Sequence, residues 1–576
     1  MARRTGAVHV TITRRHYKDK LYETTLLRRS YREGGKVRNE TVGNLSHLPP
    51  EIIAAIRAML AGRTLLDLDA ELAIERSTPH GHVAAVLGVL RALDLERLIS
   101  RTRTRQRDLV VAMVAQRLIG PGSKLSATRR FAQTTLAEEL SLGEVSEAEL
   151  LSAMDWLLAR QARIEGTLAG RHLADEGFVL YDLSSSYLEG RCCPLAARGY
   201  SRDGRAGKLQ ITYGLLCSPE GRPLAIRVHE GNLADAQTLP DALRSLRERC
   251  GGERVVFIGD RGMISETHAT TLKEQGTGFI SALRAPQIRA LLAAGDLQLS
   301  LFDQTNLAEI SSERFPGERL VVCRNPALAA ERARKREELL AATEAELAKV
   351  KRMVEAPRGR LRGAAAGTIG QRVGRVVDRD KVAKHFALEI GNGAFSYRRK
   401  AEQIAAEAAL DGIYVLRTSC PASQLGSAAV VRAYKQLKMA ERAFRTMTDS
   451  LEIRPIYHHL ADRVRAHALL CMLAYYVAFE LGLRLSSLLF ADEAPLMPLD
   501  PVAPAQRSAA ARAKAGSARS AEGLPVMSLA DLLAELGTLC RTRLRIGRQG
   551  QTFTRLTTAT ALQERAFELL GVKLAA

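Results

Sequence analysis

Cys-x-x-Cys spacing is missing from this 576-residue chain, whose eight cysteines are scattered apart from the adjacent Cys192 and Cys193. A zinc site is therefore not expected, and reduced thiols, mostly buried, are. Long apolar runs are missing too. The longest, Ala468 to Phe479, has 12 residues and runs into Glu480, short of the roughly 20 that cross a bilayer, so no membrane span is expected. The opening "MARRTGAVHV" has no sustained apolar stretch and no small-residue cleavage site. A secretory peptide is therefore not expected, and the cytoplasm is the expected compartment. No internal repeat is found, and the only tryptophan, Trp156, sits in an amphipathic pattern that places it in a core. Acids are the scarce charge: 63 Asp plus Glu against 84 Lys plus Arg leave +21. That excess favours a polyanionic partner, nucleic acid or an anionic membrane. With 46% apolar residues the chain folds over most of its length, as two to four domains.

Residues 1–47 carry 11 Lys or Arg against 4 acids, with β-forming runs and a turn at "EGGK"; the expectation is a small basic β-rich unit, a DNA-binding candidate. Residues 48–173 show helical apolar spacing and little strand signal, predicting four to six helices. From Phe178 strands take over: "FVLYDL", "KLQITYGLLCS" and "PLAIRVHE", then helix and strand in alternation to Leu283. Residues 174–284 are thus the first part of an α/β domain with a mixed sheet. Residues 285–410 interrupt it with a long charged helix, expected to be a solvated or coiled-coil arm, and a Gly/Arg-rich stretch. Residues 411–490 resume it with the strand "DGIYVLRTS" and a helix over about 427–448. The Pro/Ala/Ser-rich 491–523 reads as a flexible linker, and 524–576 as a mixed tail.

Two apolar strands of this domain run into a carboxylate: "FVLYDLSSSY" into Asp182 and "VVFIGDRG" into Asp260. Either alone reads as a turn or helix cap; two in one sheet suggest a site. On the following helix Glu441 shares a face with Tyr434, and with Lys438 and Arg445 at i−3 and i+4. A surface salt-bridge ladder would use the same spacing. Leu437, Ala440, Phe444 and Met447 make the apolar stripe. Three clustered acids in a basic chain suit hard cations such as Mg²⁺ or Mn²⁺, with two ions serving an in-line phosphoryl transfer. Lys and Arg around them would hold the phosphodiester backbone.

These residues, with "RGYSRDGRAGKLQITYGLL", "GRPLAIRVHEGNLADAQTL", "IGDRGMIS", "DGIYVLRTS" and "ERAFRTMTDSLEIRPIYHH", resemble the DDE transposases of bacterial insertion sequences. More specifically they are similar to the sixteen-thirty-four group of the insertion-sequence-four superfamily, over roughly residues 1–490. The resemblance implies a ribonuclease H-like fold with helices on both faces of the sheet and an insertion at about 285–410. It places the three family acids at Asp182, Asp260 and Glu441, as catalytic residues and ligands of Mg²⁺ or Mn²⁺. In the superfamily's Tyr, Arg, Glu, Lys helix pattern, Tyr434 and Glu441 match, while the Arg and Lys positions hold Leu437 and Thr448. Lys438 and Arg445 are the expected substitutes in DNA binding, alongside Tyr434, Arg261 and Arg454. Asn232 and Asp235 match a stretch with a structural or DNA-positioning role. His458, His459 and His467 have no metal-ligand spacing and read as helix-capping or DNA-facing.

The activity implied is metal-dependent cleavage at terminal inverted repeats: an activated water frees a 3′-OH, which then attacks target DNA in line. Asp182 would touch both ions, and Asp260 and Glu441 one each. No nucleotide cofactor is implied. Double-stranded DNA is the implied partner, with a homodimer or larger synaptic complex, no membrane, and a nucleoid-associated bacterial location. The alternatives are a catalytically silent DNA-binding protein derived from a transposase, and a nuclease that cuts without joining.

Overall fold

The computed structural model describes residues 6–18, 20–63, 72–173, 177–250, 255–302, 306–546 and 550–574. Residues 1–5 of the basic opening, 64–71 of the helical segment and Arg254 at the start of the second acid-bearing strand lie outside the described residues. Backbone contacts divide the chain into two compact units. One holds residues 1–78 with 540–557; the other holds 79–539 with 558–575.

In the first unit β1 (Ala7–Tyr17), β2 (Lys20–Glu33) and β3 (Lys36–Asn44) make an antiparallel meander, turned by Gly34 and Gly35 at φ +57° and +79°. Glycine tolerates this left-handed backbone at no steric cost. The helix Pro50–Leu60 follows. A strand the sequence did not announce, β4 (Leu72–Pro79), forms a second three-stranded sheet with partners more than 450 residues away in the chain.

The larger unit begins with a helical layer in which Gly81–Ala92, Arg105–Ile119, Glu147–Leu158 and Gln161–His172 are the long members. Eight helices are described between 48 and 173, beyond the four to six expected, because Leu95–Ile99, Lys124–Arg130 and Leu136–Glu139 have only 5, 7 and 4 residues. Segments so short leave no readable period. Beside this layer stand β5 (Phe178–Tyr187), β6 (Gln210–Cys217), β7 (Pro223–Glu230), β8 (Val256–Gly259) and β9 (Gly278–Ala282). β5, β6 and β7 pair antiparallel; β5, β8 and β9 run parallel. β10 (Leu307–Ile310) and β11 (Arg319–Arg324) come next. The separate hairpin β12 (Phe386–Gly391) and β13 (Ala394–Arg399) follows, then β14 (Ile413–Thr418). The eight-stranded sheet reads β10-β11-β14-β9-β8-β5-β6-β7.

Three boundaries differ from the sequence reading. Asp182 is the fifth residue of β5, not its end. The serines behind it continue the strand because their polar groups are used: Ser186 meets the Tyr213 hydroxyl at 2.9 Å, and Ser185 accepts the Arg202 N–H at 2.9 Å. The segment 285–410 does not wholly interrupt the sheet, since β10 and β11 belong to it and Leu320 to Cys323 are fully buried. What stands apart is the 30-residue helix Pro326–Glu355 with Ala366–Arg379 and the β12–β13 hairpin. The long helix is no free arm, because Leu347, Val350, Ile369, Val373 and Phe386 form a core there. Residues 491–523, read as a linker, are folded. Asp492 accepts the Ser508 N–H and hydroxyl at 2.8 Å, Ser508 caps the helix Ala509–Ser517, and Val502 is fully buried. The composition is linker-like, but the capping pair and one apolar anchor order it.

After β14, the expected helix over 427–448 is two helices, Ser427–Lys435 and Leu437–Arg445, followed by a π-turn at Thr446–Ser450. Ala461–Arg484 is a 24-residue helix long and apolar enough to cross a membrane, but 83% of its apolar window is buried inside the protein. It lies against β7 and the helices Arg105–Ile119 and Glu147–Leu158. The tail contributes the helix Leu529–Gly537, the hairpin β15 (Cys540–Ile546) and β16 (Gln551–Leu556) that pairs with β4, and the helix Ala561–Leu570. Trp156 is half-buried under the Arg160 guanidinium, 3.6 Å from the ring centre. Against the expectation of mostly buried thiols, Cys192 is exposed, while the adjacent Cys193 is buried.

Candidate active site

Register builds the first half of the site. In the parallel pair β5–β8, Tyr181 lies opposite Gly259, so the residues that follow, Asp182 inside β5 and Asp260 just past the end of β8, come side by side, one strand spacing of about 4.8 Å apart. Asp260 opens a turn whose geometry requires glycine: Gly262 has φ +76°, and a Cβ there would lie 1.9 Å from Nε of Arg284. The Arg284 guanidinium donates to the Gly262 carbonyl at 3.0 Å, and the Ser281 hydroxyl donates to the Asp260 carbonyl at 3.0 Å. Both fix the direction in which Asp260 leaves the strand.

The helix Leu437–Arg445 brings the third carboxylate. Its buried stripe, Leu437, Ala440, Phe444 and Met447 as expected, with Ala443, lies against β5 and β6, the Phe444 ring 5.6 Å from that of Tyr213. That leaves Glu441 exposed on the other face. Tyr434, on the helix before it, donates its hydroxyl to Oδ1 of Asp260 at 3.2 Å and so ties the helix pair to the second strand. Burial first, and then the Asp260 charge, raise the Tyr434 hydroxyl above its ordinary value, so it stays a donor at neutral pH.

The electrostatics are those of a site short of positive charge. Asp182 accepts the Leu183 N–H at 2.8 Å. Burial, joined by the Asp260 and Glu441 carboxylates, nevertheless pushes its carboxyl up to about 7. None of the three acids has an ion-pair partner among the described residues, and Glu441 is not bridged to Lys438 or Arg445. The salt-bridge ladder that the helix spacing allowed is therefore not formed. Nor do three or more His, Cys, Asp or Glu side chains close into a cage among the described residues. The acids are near enough to repel and are held apart.

Basic residues line the approach. Lys438, Arg442 and Arg445 share with Glu441 an open cleft of about 480 Å³ that runs to Asp449. Arg261 is exposed beside Asp260. Arg454 is drawn aside by Asp449 at 3.6 Å and Asp203 at 4.0 Å. Sequence reasoning passed over Arg442, whose position next to Glu441 puts it off the Tyr434 face, and Arg202, whose charge acts on Asp182 while it pairs with Asp235. "YSRDGR" was the only signal for Arg202. His458 and His467 meet ring to ring at 5.4 Å, and His467 bonds the Ile453 carbonyl at 3.1 Å.

Residues 191–477 match the transposase DDE domain, a span that holds Asp260 and Glu441 and starts nine residues after Asp182. Residues 10–67 match the N-terminal domain of the IS1634 family transposases. No curated protein matches the chain. A solved piggyBac transposase synaptic complex with hairpin DNA aligns over 69% of this chain and 71% of that one, at 9% identity and a TM-score of 0.34, too weak a likeness to carry an argument. With a catalytic-domain match and a separate N-terminal match in one chain, this protein matches a DDE transposase of the IS1634 group.

Proposed function

We propose that the protein cuts DNA at the terminal inverted repeats of an insertion sequence and joins the freed end to target DNA, using Asp182, Asp260 and Glu441. One observation carries the reading. In a chain of net charge +21, Asp182 inside β5, Asp260 just past β8 and Glu441 on its helix lie near enough for the other two charges to act on Asp182, and none of the three has an ion-pair partner among the described residues. Repulsion of that kind is retained where a cation relieves it. The donors fit Mg²⁺ or Mn²⁺: all are hard carboxylate oxygens, and burial first, then the Asp260 and Glu441 charges, disfavour the ionised form of Asp182 when no cation is bound. Bound there, two such ions would supply a nucleophile at neutral pH and offset charge on the reacting phosphate.

The rest falls to the chain's own groups. Asp182, on which the charges of both other acids act, is the residue to touch both ions. The Tyr434 hydroxyl keeps one oxygen of Asp260 oriented. Lys438, Arg442 and Arg445 hold phosphates along the helix, and Arg261 holds one at the turn. The strand order β7-β6-β5-β8-β9, antiparallel then parallel, supports a ribonuclease H-like core. The basic β-meander is the candidate reader of the repeat, and joining two ends calls for at least a dimer.

The test is incubation of the protein with labelled DNA bearing its repeats, in Mg²⁺ or EDTA, beside Asp260→Ala. Metal-dependent nicking at the repeat tip that disappears in the variant is the expected result. Repeat binding without a cut by either protein would leave a silent DNA-binding protein instead, and cutting without strand transfer a nuclease.

A further inference from the structure

A second basic cleft opens from the turn that carries Asp260. It has a volume of about 440 Å³ and lies between the sheet domain and the inserted helices. Arg261 stands at one end. Arg289 comes from the helix Ala285–Ala294, and Arg332, Lys335 and Arg336 from the long helix Pro326–Glu355. Their i, i+3, i+4 spacing puts those three on one face. Lys381 and Lys384 line it from beyond Ala366–Arg379.

The cleft's acids are already engaged. Asp411 holds Arg336, Glu407 holds Lys384, and Asp380 is bonded by Arg379 and Thr343. Lys335 pairs with Glu331 outside the cleft, with both side chains about half exposed. Arg261, Arg289, Arg332 and Lys381 have no ion-pair partner among the described residues. Four uncompensated cations from four chain segments therefore face one groove that leads away from the acid cluster.

The groove's size and lining define what it takes. Its volume is that of a small-ligand pocket, far too narrow for a duplex about 20 Å across, whose grooves receive protein elements rather than the reverse. Its apolar lining is Ala285, Ile288, Leu339, Val382, Leu410 and Ile413, with no Phe, Tyr or Trp on which a base would stack. Single-strand sites that hold bases offer such platforms; the one aromatic ring lining this cleft, His385, is buried and 3.3 Å from the Glu407 carboxylate, which leaves the cations as the grip.

We infer that the cleft between the sheet domain and the inserted helices holds the sugar-phosphate backbone of a single DNA strand leaving the Asp182–Asp260–Glu441 site. Arg261, Arg289, Arg332 and Lys381 are its phosphate-holding residues. The inference rests on the proposed cutting site only for the strand's origin. The grip itself is independent of base and of metal.

The test is fluorescence anisotropy in EDTA with three probes: a 20-mer of thymidylate, an abasic strand of equal length, and a blunt 20-base-pair duplex. The protein is compared with Arg289→Ala/Arg332→Ala/Lys381→Ala. Arg372→Ala/Arg375→Ala/Arg398→Ala serves as the charge control, since it removes three exposed cations of the inserted segment that do not line the cleft. The cleft variant is expected to bind the thymidylate and abasic strands about tenfold less tightly, with the slope of log affinity against log salt reduced by about 2, as for three lost single-strand phosphate contacts. Duplex binding should change less than about twofold, and the control should follow the parent protein on all three probes. Equal loss in the control would reduce the effect to bulk charge. Parallel loss of duplex would make the cleft a duplex track, and unchanged single-strand binding, or binding of thymidylate but not of the abasic strand, would also overturn the inference. No arm needs cleavage, so an enzyme that fails to cut leaves this result readable.

Discussion

Glu318 and Glu165 are buried acids around the eight-stranded sheet, and each is gripped by an arginine. Arg417 of β14 reaches Glu318 with two bonds of 2.6 Å, its guanidinium lying 4.9 Å from the Phe315 ring centre. Arg227 of β7 holds Glu165 at 3.0 Å, and the Ile226 N–H donates to the same carboxylate. Asp182, Asp260 and Glu441 lie against the same sheet with no such partner. Arginines are plentiful, so their absence there is a matter of placement. Burying a carboxylate demands a counter-charge. Glu318 and Glu165 have one within the fold; Asp260 and Glu441 stay exposed to solvent, and Asp182 is the enclosed acid of the three that lacks one among the described residues.

Removing an acid from each set tests the contrast, and the largest effect should be on chemistry. Asp260→Asn or Glu441→Gln is expected to lower metal-dependent nicking by about 10³-fold, comparable to losing a principal electrostatic contact to the reacting group. Far-ultraviolet circular dichroism and repeat binding should be unchanged. An active Glu441→Gln enzyme would remove the helix from the site. Glu318→Gln should act in the opposite way. It leaves the Arg417 charge buried and short of a partner, which costs about 3–5 kcal/mol; the urea midpoint should fall steeply. Soluble protein that does accumulate should still nick DNA. A Glu318→Gln midpoint equal to that of the parent would mean that the glutamine oxygen and the Phe279 and Phe315 rings suffice for Arg417.

Asp182 joins the two sets, being largely enclosed like Glu318 yet unpaired like Glu441. Without metal, Asp182→Asn removes a charge repelled by two neighbours and should raise stability in EDTA at pH 8 by about 1–2 kcal/mol, a discounted share of the shift that burial and those charges impose. Mg²⁺ should raise the melting temperature of the parent protein and leave that of the variant unmoved. A variant less stable than its parent would mean that the carboxylate is already compensated.

How much of this could be read in the chain depended on whether the partners were local. Strands β5 to β9 and β14 were legible because each is a short apolar run between turn residues. The Glu441 helix was legible from its stripe at Leu437, Ala440, Phe444 and Met447. The place of Asp182 within β5 was hidden, since the serines behind it look like a terminus until Tyr213 and the Arg202 backbone, supplied by other segments, satisfy them. β4 was hidden for the same reason, its partners lying in the far C-terminal hairpin. The folded state of 491–523 turned on Asp492 meeting Ser508, a pairing across 16 residues that composition cannot express. Of the candidate site, the placement of two acids on neighbouring strands and of Glu441 with Tyr434 on the following helices was legible. Arg202, Arg284 and Arg442 were not, because their roles come from positions in space rather than from a period.

An unpaired base offers the converse of the unpaired acids and the smallest effect. Lys124 is buried beside Arg117 and lines a cavity of about 10 Å³ with Met113, Gln116 and Ala127. Burial first, then the Arg117 charge, hold its amine down to about 7, with a small opposing effect of Cys471. His458 and His467 face the same cluster and are themselves depressed, so they add no charge near neutrality. Between about 7 and the ordinary 10.5 the unfolded chain binds a proton that the folded chain does not. The parent protein therefore loses stability as pH falls through that window and bears the full cost below it. Lys124→Met lacks that dependence. Its advantage should be about 1 kcal/mol at pH 6 and shrink toward pH 10, kept modest because the cavity has room for one water to solvate the amine and the unbonded Gln116 oxygen. Urea midpoints of both proteins at pH 6 and pH 9.5 decide it. An advantage independent of pH would assign the gain to packing, and an advantage that grew with pH would mean that the amine is charged and paired in the folded protein.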